Sequence, residues 1–141
     1  MNGLVCTFDF DDTLASMTEE KQGLLWGIVS DELVPIKDVI DILMEKHKEG
    51  YEIHIVTARE EWAIPEVKGF IDNYQLPIKE IHHTSGGSKL PFLKKIKSVL
   101  HVDDILHHVV AAELEGIPCL LVDDGRHKNN CTADQFNKIL I

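Results

Sequence analysis

The sequence predicts a single α/β domain, Rossmann-like and three-layered, with a mostly parallel five-stranded sheet. Three observations carry that reading. Short β-branched apolar runs alternate with helical periodicities along the 141 residues, as βαβ units require. Several of those runs end in carboxylate or hydroxyl residues. No linker, low-complexity stretch or internal repeat divides the chain, and its length suits one core without disulfides or structural metal.

Residues 4–9 make the first predicted strand, and its end is the most unusual stretch of the chain. Asp9-Phe10-Asp11-Asp12-Thr13 sets three carboxylates within four residues, which repel unless a cation, a proton or fixed donors compensate them. Over 15–34 the signal weakens, with Leu24, Leu25, Ile28 and Val29 suggesting one short helix. Pro35 is expected to open an amphipathic helix carrying Ile36, Val39, Ile40, Leu43 and Met44 on one face, closed by Gly50. Residues 51–57, Tyr-Glu-Ile-His-Ile-Val-Thr, form the second strand, and 61–74 a helix turning Trp62, Val67, Phe70 and Ile71 inward. A third strand over 78–83 runs into the loop Thr84-Ser85-Gly86-Gly87-Ser88, then Lys89 and a short helix with Leu90, Phe92, Leu93 and Ile96. The fourth strand, 98–103, ends in a second acidic pair, Asp103-Asp104. A helix over 105–115 stops at Gly116, a fifth strand follows over 118–122, and a last helix starts near Thr132. Such sheets bind ligands beyond the carboxyl ends of their strands, so the first acidic cluster, Thr57 and Asp103-Asp104 are expected on one edge.

Composition narrows the partners. A net charge of −10, from 14 basic and 24 acidic residues, argues against broad nucleic-acid or anionic-membrane binding. A phosphorylated substrate stays compatible, because a divalent cation and backbone donors can supply positive charge locally. No apolar run approaches the ~18 residues of a membrane span, and Met1-Asn2-Gly3-Leu4 lacks the basic flank of a signal peptide, so a cytoplasmic protein is expected. The three cysteines are expected to be reduced and structural. Eight histidines are many, but His82-His83 and His107-His108 are adjacent pairs, without the i, i+4 spacing of a helical metal site, and no dedicated zinc site is expected.

The motifs together resemble a haloacid dehalogenase-like superfamily phosphatase, capless or minimally capped. Four signatures stand in order: Asp9-Phe10-Asp11-Asp12-Thr13, Thr57 in Ile55-Val56-Thr57-Ala58-Arg59, Lys89 after Gly87-Ser88, and Asp103-Asp104. The resemblance covers residues 4 to 122 and implies a magnesium-dependent phosphomonoester hydrolase acting through an aspartyl-phosphate on Asp9. Each residue type also makes chemical sense. A carboxylate can attack phosphorus and split one displacement into two steps. A second carboxyl two residues on, Asp11, lies on the same side of an extended chain and can act as acid and then base. Asp12 is expected to face away in a structural or helper role. Two anions approach only if their repulsion is screened, so Mg²⁺ is implied, with the Asp9 carboxylate, the Asp11 main-chain carbonyl and one of Asp103 and Asp104 as ligands. Alignment with the family's doubled acid favours Asp104.

Thr57 would donate to a phosphoryl oxygen together with backbone amides around Phe10, Asp11 and Ala58, with Thr13 and Arg59 also placed at the substrate. Lys89 would hold its ammonium against the nucleophile and the transferring group, ahead of its competitors Lys94, Lys95 and Lys97. The short intervals 15–34 and 84–88 leave little room for a cap. A substrate with its own bulk, such as a phosphoprotein, polynucleotide end or glycan, or a cap supplied by a homo-oligomer, would complete such a site. Two other readings compete. A receiver-type signalling module would need its acceptor Asp after the third strand and its Lys after the fifth, which Ile81-His82-His83 and Leu121-Val122-Asp123 do not provide. A catalytically silent binding protein on the same fold would keep the motifs without turnover.

Overall fold

The computed structural model describes residues 3–17 and 33–122. Strand β1 (Val5–Phe8) lies at the centre of a five-stranded sheet, between β4 (Glu52–Thr57) and β6 (Ser98–Asp103). The edges are β5 (Ile78–His83) and β7 (Cys119–Leu121), giving the order β5-β4-β1-β6-β7 with all pairings parallel. The expected α/β architecture and sheet are therefore present. Helices α1 (Lys37–Lys48), α2 (Ile64–Asn73), α3 (Leu90–Lys95) and α4 (Leu106–Leu114) connect the strands.

Alternation along the strands divides the core in two. Cys6, Phe8, Ile53, Ile55, Leu100, Val102, Leu120 and Val122 point one way, into a cluster with Val39 and Leu43 of α1 and Val67 and Phe70 of α2. Val56, Cys119 and Leu121 point the other way, against Leu93 of α3 and Val109 and Ala112 of α4. Each such aliphatic or aromatic side chain contributes roughly 1.5–3 kcal/mol on burial. The second face is unusual because its central positions are polar: Thr7, His54, His101, Asp103 and Asp9 are all buried. Both described cysteines are free, and burial pushes their thiols up, Cys6 to about 11 and Cys119 to about 12, so they behave as small apolar residues.

Two sequence expectations change. Pro35 does not open a helix; it ends β3 (Leu33–Pro35), which pairs antiparallel with β2 (Ala15–Met17) in a two-stranded ribbon. The ribbon pairing extends to the Ile36 N–H, which donates to the Leu14 carbonyl at 2.9 Å, so α1 can begin only at Lys37. Trp62 is not a core residue but is 82% exposed, because 61–63 form a 3₁₀ turn whose tighter winding rotates it away from the sheet. The helical reading around Leu24–Val29 and the last helix near Thr132 lie outside the described residues. Among the described residues, no helix is long and apolar enough to cross a membrane.

Candidate active site

The turn after β1 builds the site. The Asp9 N–H donates to Val102 of β6 at 2.8 Å, which fixes its side chain beyond the sheet's carboxyl edge. The chain then folds tightly, with the N–H groups of Thr13, Leu14 and Ala15 all reaching the Phe10 carbonyl at 3.3, 3.0 and 3.1 Å. Asp12 takes a left-handed φ of 60°, which Asp tolerates better than most residues, and this swings the chain round. On the neighbouring strand, the backbone of 84–86 is laced to Thr57, Ala58 and Arg59 by hydrogen bonds of 2.8–3.3 Å. Left-handed Gly86, at φ 82°, completes that loop and delivers Lys89 to the sheet edge.

Lys89 is 2% exposed, and its ammonium donates to Asp9 Oδ1 at 2.7 Å and to Asp103 Oδ2 at 2.8 Å. Burial disfavours the ammonium's charge, but the Asp9 and Asp103 carboxylates outweigh it and hold Lys89 above its ordinary pKa. Lys94 instead pairs with Glu115 in solvent, and Lys95 is exposed. Asp103 is fully engaged. Besides Lys89 it accepts from His101 Nε2 at 2.9 Å and from the Ile105 N–H at 3.1 Å. Burial would raise it, yet His101 and Lys89 prevail and hold Asp103 well below the usual carboxylate range. A buried polar chain continues from there, with His101 Nδ1 2.8 Å from Thr7 Oγ1 and that hydroxyl 2.8 Å from Ser98 Oγ.

The other two acids, Asp9 and Asp104, crowd together and resist ionisation. Thr13 Oγ1 lies 3.1 Å from Asp9 Oδ2 and 3.3 Å from Asp104 Oδ1, sharing its proton between them. Burial first, then the neighbouring Asp103 charge, raises Asp9 despite Lys89. Asp104 is pushed up to about 9 by burial, by its hydrogen bond with Asp9 and by the charges of Asp9, Asp103 and Asp12. Carboxylate oxygens of Asp9, Asp103 and Asp104 lie within 4.8 Å of one another. Three buried acids against one ammonium, all hard oxygen donors, fit a divalent cation such as magnesium. Both Asp103 oxygens accept hydrogen bonds, from Lys89, His101 and the Ile105 N–H, and Asp104 sits against Asp9 and Thr13.

Asp11 is placed differently from its neighbours. Its carboxylate is half exposed and takes a bidentate pair from Arg59, Nε to Oδ2 at 2.9 Å and Nη2 to Oδ1 at 2.8 Å. Arg59 is further tied to Glu66 Oε1 at 2.5 Å and to the Ala63 carbonyl at 3.0 Å, and lies over the Phe10 ring. Burial of the guanidinium is outweighed by Asp11 and Glu66, which hold it above its usual pKa.

Of the residues singled out from sequence, the structure gathers Asp9, Thr13, Lys89, Asp103 and Asp104 into one contact network. Thr57 is buried at the end of β4, its hydroxyl accepting from the Arg59 N–H at 3.2 Å, and Ala58 is exposed beside it. The Phe10 ring belongs to the core, edge-on to Phe70 at 5.3 Å, which leaves only its backbone for a ligand. Sequence reasoning missed His101, Thr7, Ser98 and Glu66. Alternation offered a signal for the first two, since Thr7 and His101 each stand two residues before a site acid.

Lys89→Met is expected to destabilise the fold by about 3–5 kcal/mol in urea denaturation at neutral pH, because it strands buried carboxylates. Lys94→Met, losing a solvent-exposed pair, should cost less than about 1 kcal/mol.

No family model matches the sequence, and no curated protein matches it. Solved structures do. A chain of the Pnkp1/Rnl/Hen1 complex superposes with a TM-score of 0.66 at 15% identity, covering 86% of this chain and 47% of that one. A protein of Bacteroides fragilis described as a haloacid dehalogenase-like hydrolase gives 0.63 at 17% identity over 97% of this chain and 93% of its own. D,D-heptose 1,7-bisphosphate phosphatase from B. bronchiseptica, solved with magnesium and phosphate, gives 0.60 at 12% identity, covering 85% and 80%. The chain thus has the haloacid dehalogenase-like fold, without a large cap among the described residues. It spans less than half of the chain that it matches in the Pnkp1/Rnl/Hen1 RNA repair complex.

Proposed function

We propose that the protein is a magnesium-dependent phosphomonoester hydrolase working through an aspartyl-phosphate on Asp9. The observation that carries this reading is the buried Asp9 carboxylate, held on Lys89 and Thr13 beside Asp104 at the end of the central strand. An Asp9 oxygen attacks phosphorus as the ester P–O bond breaks, and Asp11, once it has left Arg59 and taken a proton from solvent, gives that proton to the departing oxygen. Water then attacks the phosphorus of the acyl phosphate and passes a proton back to Asp11, releasing inorganic phosphate and free Asp9. Asp9, Asp104 and the Asp11 main-chain carbonyl would hold magnesium, which supplies the positive charge that lets phosphate approach a carboxylate. Lys89 fixes the attacking carboxylate from below, and Thr57 with the Ala58 amide receives the phosphoryl oxygens.

Asp11 has to part from Arg59 to reach a substrate, and Arg59, once released, is free to contact the phosphate. In this reading the guanidinium parks the acid–base group in solvent until a phosphate competes for it. The substrate is a phosphomonoester, either small or the terminal phosphate of a larger molecule. The fold shared with a chain of an RNA-repair complex supports the second.

The test is hydrolysis of an aryl phosphate with and without magnesium, followed by mass analysis of acid-quenched protein. Metal-dependent turnover with phosphate on the Asp9 peptide is expected. Full activity without metal, or phosphate trapped elsewhere, would overturn the proposal.

A further inference from the structure

Two imidazoles meet on the α3 side of the sheet, at its β5 edge and away from the acidic cluster. His54 Nδ1 lies 3.0 Å from His82 Nε2, with the rings 7° from parallel. Strand pairing brings them together. His54 is opposite Glu80 in the β4–β5 register and His82 follows Glu80 by two residues, so all three side chains share one face. Glu80 Oε2 stands 3.8 Å from His54 Nδ1 and 3.5 Å from His82 Nε2. Only one hydrogen fits between the two ring nitrogens, so in the ion-free protein one ring donates to the other.

We propose that His54, His82 and Glu80 form a second metal site, of zinc type, that clamps the edge strand β5 to β4. The donor set is two imidazole nitrogens and one carboxylate oxygen, the chemistry that selects zinc over magnesium. Their separations of 3.0, 3.5 and 3.8 Å lie near the spacing of about 3.3–3.4 Å between donors at tetrahedral zinc, and the two rings, which meet edge to edge with centroids 5.3 Å apart, would turn out of their head-on contact to converge on an ion. His54 Nε2 is 3.1 Å from Glu52 Oε1, and a carboxylate there accepts a hydrogen bond from the Nε2–H, which leaves the Nδ1 lone pair for the metal. His82 then adopts its other neutral tautomer, its hydrogen moving from Nε2 to Nδ1. Burial, with His54 beside it, already lowers the His82 pKa and favours the neutral ring. His54 is buried, but Glu80 is 58% exposed in its side chain, so ions enter from solvent and a water completes the fourth position.

Cobalt(II) is the probe, because tetrahedral nitrogen coordination gives strong visible bands that an oxygen-ligated octahedral ion does not. With magnesium in excess to fill the acidic cluster, wild-type protein is expected to take up one equivalent of Co²⁺ with tetrahedral bands. Zinc should displace it and raise Tm. Asp104→Asn should bind equally well, His82→Ala and Glu80→Gln should lose the bands and the Tm shift, and Glu52→Gln should weaken binding about 10- to 100-fold. Glu80→Gln changes an exposed side chain without altering its shape, so it decides the matter if His82→Ala fails to fold. Absence of tetrahedral bands in wild type, their survival in Glu80→Gln, or their loss in Asp104→Asn would overturn the site. His54, Glu80, His82 and Glu52 have no part in the phosphatase reading, so failure of this site leaves that reading untouched.

Discussion

Asp9→Asn is expected to cut turnover of an aryl phosphate at least about 10⁴-fold while leaving the fold intact, as removal of a nucleophile does. The substitution is nearly isosteric. Its amide oxygen can still accept from Lys89, and Lys89 keeps its Asp103 partner at 2.8 Å, so no buried cation is stranded. One of three crowded carboxylates disappears, so the metal-free variant should be more stable than wild type above neutral pH. Loss of activity with retained or increased stability separates a chemical role from a structural one. Turnover within tenfold of wild type would exclude Asp9 as the nucleophile.

The metal-free protein should lose stability as pH rises from about 4 toward 9, a slope opposite to that of ordinary salt-bridged carboxylates. Asp104 is raised from 3.8 to about 9 in the folded state, and Asp9 is raised as well. Below the unfolded value both states are protonated there and nothing is lost. Above it the unfolded chain releases protons that the folded site retains, so unfolding is favoured by up to about 1.4 kcal/mol per pH unit per proton. Asp103 works in the reverse sense, since its depressed value contributes stability that disappears only as the solution becomes strongly acidic. A divalent cation favours the ionised acids, so magnesium should stabilise more at higher pH and oppose the downward slope. Urea denaturation across pH, in chelator and in magnesium, measures both. Asp104→Asn should flatten the metal-free slope, and an unchanged slope in that variant would refute the assignment.

Much of this was legible in the sequence because parallel strands are written in period two. Cys6, Phe8, Ile53, Ile55, Leu100 and Val102 alternate with the site face, and the strands at 78–83 and 98–103 keep the bounds read from the sequence. The acidic edge followed from one rule about the carboxyl ends of strands. Contacts fixed only by tertiary pairing stayed hidden. Arg59 reads as a loop arginine, and nothing local shows that Asp11 and Glu66 will occupy it. His54 and His82 stand 28 residues apart, a separation imposed by the helix and loops between β4 and β5 rather than by any metal-site spacing. Trp62 misled because a 3₁₀ turn precedes the α-helix and carries a different period.

The chain of contacts from Lys89 through Asp103 and His101 to Thr7 and Ser98 also acts as a key for strand alignment. Hydrophobic packing alone tolerates many arrangements of Val, Leu and Ile side chains, and a two-residue slide of β6 along β1 would keep apolar groups facing inward. Such a slide would separate Thr7 from Ser98 and His101 and leave several fully buried polar atoms unmatched, at roughly 1–3 kcal/mol each. Misaligned sheets are thereby excluded, and only the aligned one sets Asp9 and Asp103 level. The polar line through the core thus couples correct folding to assembly of the acidic edge.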